Sequence, residues 1–421
     1  MRSWKRGTSG ESLCPRLWSF LKPLRYLRNI RKAKAERTAE SSRMNNPFTT
    51  FTDIKAFVAS CLLFVLSAHR ITAQSTTAPV RLVVIGTKHV HVPWILGRKG
   101  KGDVSLVGIY EPNKELARRY AKRFNLDSSL FYTDLPKMLE ALKPEAAVAF
   151  GSVYEHKEAV EACAPRGIHV MVEKPLATTF ADAKKMEALA KKYKIHLLTN
   201  YETSWYPTTI KTYQLVNDSN YIGQIKKVVV HDGHEGPKEI GLSKESLEWL
   251  IDPIQNGGGA LIDFGCYGAN LMTYLMKGQE PISVTAVTRQ FKPDVYPKVD
   301  DEATIIVQYP TAQCIIQASW NWPFSRKDME VYGQTGYVIA DNNNAMRLRN
   351  KASKGEQRTT VKAADVPVYE DPFAYFADVL RDKITVPENG LYSLRTNVTV
   401  VRILDAARES AKTGKTVRLD K

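Results

Sequence analysis

Apolar runs and amphipathic stretches alternate along the chain between residues 80 and 200. Short apolar runs at Arg81–Ile85, Val104–Tyr110, Ala146–Phe150, His169–Val172 and His196–Thr199 predict buried strands. Between them, spacing of three to four residues predicts helices over Val90–Arg98, Lys114–Phe124, Leu135–Leu142, His156–Arg166 and Phe180–Tyr193. Strands alternating with helices of this length predict an α/β domain with a doubly wound parallel sheet. The pattern changes after about Asn200. Ile225–His231, Ile282–Gln290, Glu302–Tyr309 and Gln313–Trp320 read as longer strands, with shorter ones at Met329–Tyr332 and Gly336–Ala340. Several alternate apolar with polar residues, as in an antiparallel sheet with one wetted face. Helices here are fewer: Thr208–Val216, Ala260–Met276 and Asn397–Thr413. The expectation is a Rossmann-like domain over 80–200 followed by an α+β domain over 201–421.

The first 73 residues stand apart. Residues 56–68 are apolar for 13 positions, short for a bilayer span and suited to a signal-peptide core. Lys55 precedes the run and Ala73–Gln74 offers a cleavage point. Met44 is a natural start, which makes 44–73 a signal peptide and 1–43 a basic extension from a mis-assigned start. The chain is therefore expected to be exported to the periplasm, with no stable membrane span after cleavage. This division also disposes of the formal charge of +16, because 12 Lys/Arg against 3 Asp/Glu place +9 in residues 1–43. The folded part is only mildly basic, and no nucleic-acid partner is expected. Past residue 73 the cysteines are Cys163, Cys266 and Cys314, neither a disulfide framework nor a zinc-binding pair.

Three stretches carry candidate chemistry. The first is "VVIGTKHVHV" at 83–92. Gly86 allows the tight turn of a dinucleotide-binding loop, but the small residues expected in the next five positions are replaced by Lys88, His89, His91 and valines. The following amides could still hold a pyrophosphate, with Lys88 adding charge, and Lys88, His89 and His91 are candidates for the cofactor contacts that the missing glycines no longer provide. Glu111 ends the second strand, where a carboxylate would accept from the adenosine ribose and repel a 2′-phosphate, favouring NAD over NADP. The second is Glu173-Lys174-Pro175, which puts a lysine beyond a strand C-terminus, where α/β sheets bind ligands. The third is "NGGGALIDFGCYGAN" at 256–270. Asp263, Tyr267 and Asn270 follow at spacings of four and three, one face of a helix.

Together with "VEKPLATTFADAKKMEALAKK" and the C-terminal "LYSLRTNVTVVRILDAARESAKTGKTV", these stretches resemble the Gfo/Idh/MocA oxidoreductase family over residues 80–420. The resemblance implies a Rossmann domain, an open-faced C-terminal sheet, and NAD(P)-dependent redox chemistry on sugars or cyclitols. It also implies dimers or tetramers. The family's EKP lysine falls on Lys174. Its Asp-x-Gly-x-His-x-x-Asp motif falls on Asp263, Gly265, Tyr267 and Asn270, so the last two depart from the pattern. Tyrosine in the histidine place resembles the glucose–fructose oxidoreductase and dihydrodiol dehydrogenase branches. Ser152 and His156 match the segment lining the nicotinamide side.

On this reading Tyr267 is the acid/base, with its phenol pKa of about 10 lowered by the Lys174 ammonium. Asp263 orients substrate or lysine. Glu173 joins the cofactor contacts, and Asn200, Tyr201, His234, Asn270 and Trp322 are expected to line the substrate. His231 and His234 would not share a face, and no metal is expected. Export implies a tightly held, recycled NAD. The alternatives are a redox-neutral NAD-dependent glycosidase or lyase working through transient C3 oxidation, and a non-catalytic sugar-binding relative.

Overall fold

The computed structural model describes residues 78–419. The signal-peptide and N-terminal-extension readings lie outside the described residues. Among the described residues no helix is long and apolar enough to cross a membrane.

Two sheets organise the chain. The first has six parallel strands in the order β3-β2-β1-β4-β5-β6. They are β1 Val80–Ile85, β2 Val104–Tyr110, β3 Phe131–Tyr132, β4 Ala146–Ala149, β5 His169–Glu173 and β6 Leu197–Asn200. This is the doubly wound topology, and the order reverses between β1 and β4. The helices Lys114–Phe124, Leu135–Leu142 and Phe180–Tyr193 have the ends the periodicity predicts. Each starts on a side-chain cap: Asn113, Asp134 and Thr179 accept amides of the first turn. The first helix is the exception. It runs only over Pro93–Leu96, because Pro93 sets its start and Gly97 ends it. The residues before it, from Gly86 to Val92, form an irregular turn rather than helix.

The second sheet has nine strands in the order β14-β13-β12-β11-β7-β10-β9-β8-β15. They are β7 Ile225–Gly233, β8 Ser283–Arg289, β9 Glu302–Gln308, β10 Gln313–Ser319, β11 Arg326–Gly333, β12 Gly336–Ala340, β13 Ala345–Asn350, β14 Gln357–Thr360 and β15 Val417–Arg418. Only β7 and β10 pair in parallel. Along β9 and β10 every second side chain is buried, which puts one face on the helices. Gly268 lets the overlying helix settle onto β10, since a Cβ there would lie 2.6 Å from Ile316 Cγ2. The predicted helix Ala260–Met276 is two helices, Ala260–Asp263 and Gly265–Leu275, broken at Phe264. The predicted Thr208–Val216 is a helix over Pro207–Tyr213 that loosens into a π-turn over Gln214–Asp218.

Candidate active site

The carboxyl ends of β1, β2, β4, β5 and β6 place Gly86, Glu111, Phe150, Glu173 and Asn200 along one edge of the parallel sheet. Against this edge lies a cavity of about 210 Å³. His89, His91, Lys174, Asp263, Tyr267 and His234 line it, with Ser246, Trp249 and Lys327 among the other walls.

Lys174 and Asp263 form its buried ion pair. The ammonium donates to Asp263 Oδ1 at 2.5 Å and to the Asp263 carbonyl at 2.9 Å. Asp263 Oδ2 accepts Trp320 Nε1 at 3.0 Å, so the carboxylate is held from two sides. Burial alone would push Lys174 down, but Asp263 outweighs it and the lysine sits above its ordinary value. Burial likewise opposes the Asp263 carboxylate, and Lys174 overcomes it, so Asp263 sits below its ordinary value. The pair is therefore ionised, and Lys174 can give a substrate oxygen a proton or a charged hydrogen bond. Helix breakage at Phe264 has a purpose here: it turns the Asp263 carbonyl towards the lysine.

Tyr267 lies where the sequence puts it but not in the expected state. Burial, then Glu202, push its phenol well above the ordinary value. The Lys174 and Lys327 ammoniums each stand 5.1 Å from its ring centroid, over the face rather than at the hydroxyl. The expected lowering by Lys174 is thus corrected: Tyr267 is a neutral hydrogen-bond donor, not a base near pH 7. His234 is neutral as well, because burial lowers it. Its Nδ1 accepts the Gly236 amide at 2.9 Å, which leaves Nε2–H to donate into the cavity.

Other expected substrate contacts face elsewhere. Asn270 is fully buried, and its Nδ2 donates to the Leu391 carbonyl and to Asn397 Oδ1, towards the C-terminal helix Leu394–Thr413. Being one turn beyond Tyr267 does not bring it to the cavity, since the helix rotates it onto its packing partner. Asn200 is spent on Glu173 Oε1 at 2.8 Å and on Trp205 Nε1 at 2.9 Å. Tyr201 is buried edge-on against Tyr267, with ring centroids 5.5 Å apart. Trp322 packs under the Arg326 guanidinium, outside the cavity. Lys327, Ser246 and Trp249 were not legible as site residues, because each arrives from a segment with no motif of its own.

The turn after β1 keeps the glycine a dinucleotide loop needs. Gly86 has φ +76° and a Cβ there would lie 2.9 Å from the Gly151 amide, so only glycine fits. The Gly86, Thr87, His89, His91 and Val92 amides are taken internally, whereas those of Lys88 and Val90 donate to no group among the described residues. These two amides, beside the Lys88 ammonium, fit a phosphate. Lys88 itself pairs with Glu155 at 2.6 Å. Glu111 is fully buried, and accepts from Thr87 Oγ1 at 2.6 Å, the Thr87 amide at 3.0 Å and the Asn113 amide at 2.9 Å. It holds the turn from inside. His156 directs Nδ1 at the Pro175 carbonyl at 3.2 Å and leaves Nε2 buried without a partner, an acceptor that fits an amide donor. Burial lowers this histidine to about 4. Ser152 Oγ donates to Gln255 Oε1, and Ser246 Oγ and Trp249 Nε1 donate to the Lys88 carbonyl. Residues 246–255 thereby close over the turn.

This topology and site match a known class. Residues 80–201 match the family model described as "Oxidoreductase family, NAD-binding Rossmann fold", and residues 210–339 match the "GFO/IDH/MocA C-terminal domain". The chain belongs to the Gfo/Idh/MocA oxidoreductases, and its N-terminal part is that family's NAD-binding domain.

Among individual relatives, it is 28% identical over 210 residues to trans-1,2-dihydrobenzene-1,2-diol dehydrogenase of Xenopus tropicalis, spanning 49% of this chain and 58% of that protein. The chain thus spans little more than half the length of the dihydrodiol dehydrogenases it matches. It is 21% identical to 1,5-anhydro-D-fructose reductase of Ensifer adhaerens over 76% of this chain and 94% of that one. It shares its fold with the aldose-aldose oxidoreductase of Caulobacter crescentus, crystallised with glycerol. That likeness has a TM-score of 0.67 and 22% identity, over 81% of this chain and 100% of that one.

Proposed function

We propose that the chain oxidises a carbinol carbon of a sugar, cyclitol or glycoside, or reduces the corresponding carbonyl, with a tightly held NAD. Bound NAD would accept or return the hydride. The residues that fit its phosphates are Gly86, Lys88 and Val90, and His156 fits its amide end. The buried Lys174–Asp263 pair at the cavity wall carries the reading. In the reductive direction the Lys174 ammonium protonates the oxygen that becomes a hydroxyl, and in the oxidative direction the neutral Lys174 amine takes that hydroxyl proton back as the hydride leaves the carbon. Tyr267 and His234 Nε2–H donate to neighbouring oxygens and set the sugar's orientation. A buried, ionised lysine at a cavity wall favours a catalytic site over a non-catalytic one.

Retention of the cofactor is supported by residues 246–255 lying across the Lys88 turn. The same closure favours, as a second reading, a redox-neutral glycoside cleavage in which the reduced cofactor never leaves. Export to the periplasm, proposed from the apolar run at 56–68, suits both. Purified full-length chain should show nicotinamide absorbance and act on polyhydroxylated substrates. Net NADH or a keto-sugar supports the first reading, and a released aglycone without net NADH supports the second. No nucleotide and no turnover would overturn both.

A further inference from the structure

The two histidines of "HVH" and the EKP glutamate converge. One ring nitrogen of His89, one of His91 and one carboxylate oxygen of Glu173 lie within 4.8 Å of one another. We infer that this triad is a divalent metal site opening on the cavity beside Lys174. The inference rests on the polyol reading of the same cavity, and a count of bound metal tests it independently of turnover.

Two imidazoles and a carboxylate suit a borderline ion such as Zn²⁺, Co²⁺ or Fe²⁺ rather than Mg²⁺ or Ca²⁺. Three protein ligands with the remaining positions open is the pattern of catalytic metal sites, and the open side here is the cavity lined by His89 and His91. The ligands are held in place. Asn200 Nδ2 binds Glu173 Oε1 at 2.8 Å and so leaves Oε2 facing His91 Nδ1 at 3.0 Å. His91 stacks on Trp94 with centroids 3.7 Å apart, and His89 stacks on Trp249 at 5.5 Å. A cation would replace the contact between His91 Nδ1 and Glu173 Oε2.

Nearby lysines do not fill the place of the ion: Lys174 pairs with Asp263 and Lys327 pairs with Glu202, and neither donates to Glu173. A bound ion would present open positions to adjacent hydroxyls of a polyol, next to the Lys174 proton donor.

The test uses full-length chain stripped with a chelator, dialysed, and loaded with Zn²⁺ or Co²⁺. Bound metal is counted by elemental analysis, and Co²⁺ ligation is read from its visible spectrum. One ion per chain is expected. His91→Phe, which keeps the ring on Trp94, and Glu173→Gln, which keeps the Asn200 contact, should each abolish stoichiometric binding while circular dichroism stays unchanged. Asn200→Ala should weaken affinity by roughly 10- to 100-fold. Absence of a stoichiometric ion in the wild type overturns the site. So does binding that survives His91→Phe and is lost in Asp328→Asn, which would move the ion to the other histidine–carboxylate cluster, at His231, Asp328 and Glu330.

Discussion

Lys174 reaches across from the end of β5 to Asp263 at the end of a helix in the second half of the chain, with Nζ 2.5 Å from Oδ1. This contact joins the parallel sheet to the helix layer of the second sheet and sets the charge state of the site. Breaking it leaves an uncompensated buried ammonium, which costs about 3–5 kcal/mol. Asp263→Asn should lower the melting temperature at pH 7 and remove most turnover. Wild-type-like stability in that variant would show that the pair does not anchor the fold.

The pH dependence of that pair has a definite sign. Asp263 is lowered in the folded state, so its contribution is present above the ordinary carboxylate value of about 4 and is lost as pH falls through the lowered value. Lys174 is raised, so its contribution is present below about 10.4 and is lost only as pH rises through the raised value. Between roughly pH 5 and 9 the pair should add a pH-independent increment. Wild type should therefore keep this increment unchanged across that window, whereas in Asp263→Asn burial pushes the unpaired Lys174 down, so the variant should gain stability as pH rises, and the two should converge in acid.

Tyr267→Phe separates a donor from a base. Loss of one hydrogen bond to a developing charge costs about 1.5–3 kcal/mol, roughly 10- to 100-fold in kcat/KM. No limb of the pH–rate profile near neutrality should disappear with it, because burial keeps this phenol protonated. A limb near pH 7 that vanishes in the variant would return Tyr267 to the role of base.

Gly86→Ala forces a side chain into the left-handed region, where φ is +76°, and against the Gly151 amide. The expected cost is about 1–3 kcal/mol together with loss of bound nucleotide. Unchanged nucleotide content would mean that the turn is not the phosphate cradle.

Ser246→Ala and Trp249→Phe each remove one donor to the Lys88 carbonyl. If residues 246–255 retain the cofactor, nucleotide should leave several-fold faster, as read by nicotinamide fluorescence after dilution. An unchanged rate would separate retention from this contact.

The strand–helix alternation over 80–200 was legible because strands such as Ala146–Ala149 and Leu197–Asn200 are buried along their whole length and three of the helices are capped by Asn113, Asp134 and Thr179. Lys174, Asp263 and Tyr267 were legible for a different reason: Lys174 follows a buried strand directly, and Asp263 and Tyr267 are four residues apart beside the glycines of 257–259. Asn200 and Asn270 were misread, because spacing says which residues share a face but not which neighbour that face meets. Asn270 meets Asn397, 127 positions away. The strand Gln357–Thr360 escaped notice because all four of its side chains are exposed and it carries no apolar alternation. The closing contacts of Ser246 and Trp249 rest on the Lys88 carbonyl, a backbone atom that leaves no mark in the sequence.

On the proposed function, Lys174 delivers the proton at a nicotinamide-dependent centre. The most direct measurement pairs nucleotide content with turnover in wild type and Lys174→Met, using sugars, cyclitols and glycosides as substrates. The account predicts comparable bound nucleotide in both proteins and a loss of kcat of about 10²–10⁴-fold in the variant. Full turnover in Lys174→Met would contradict it.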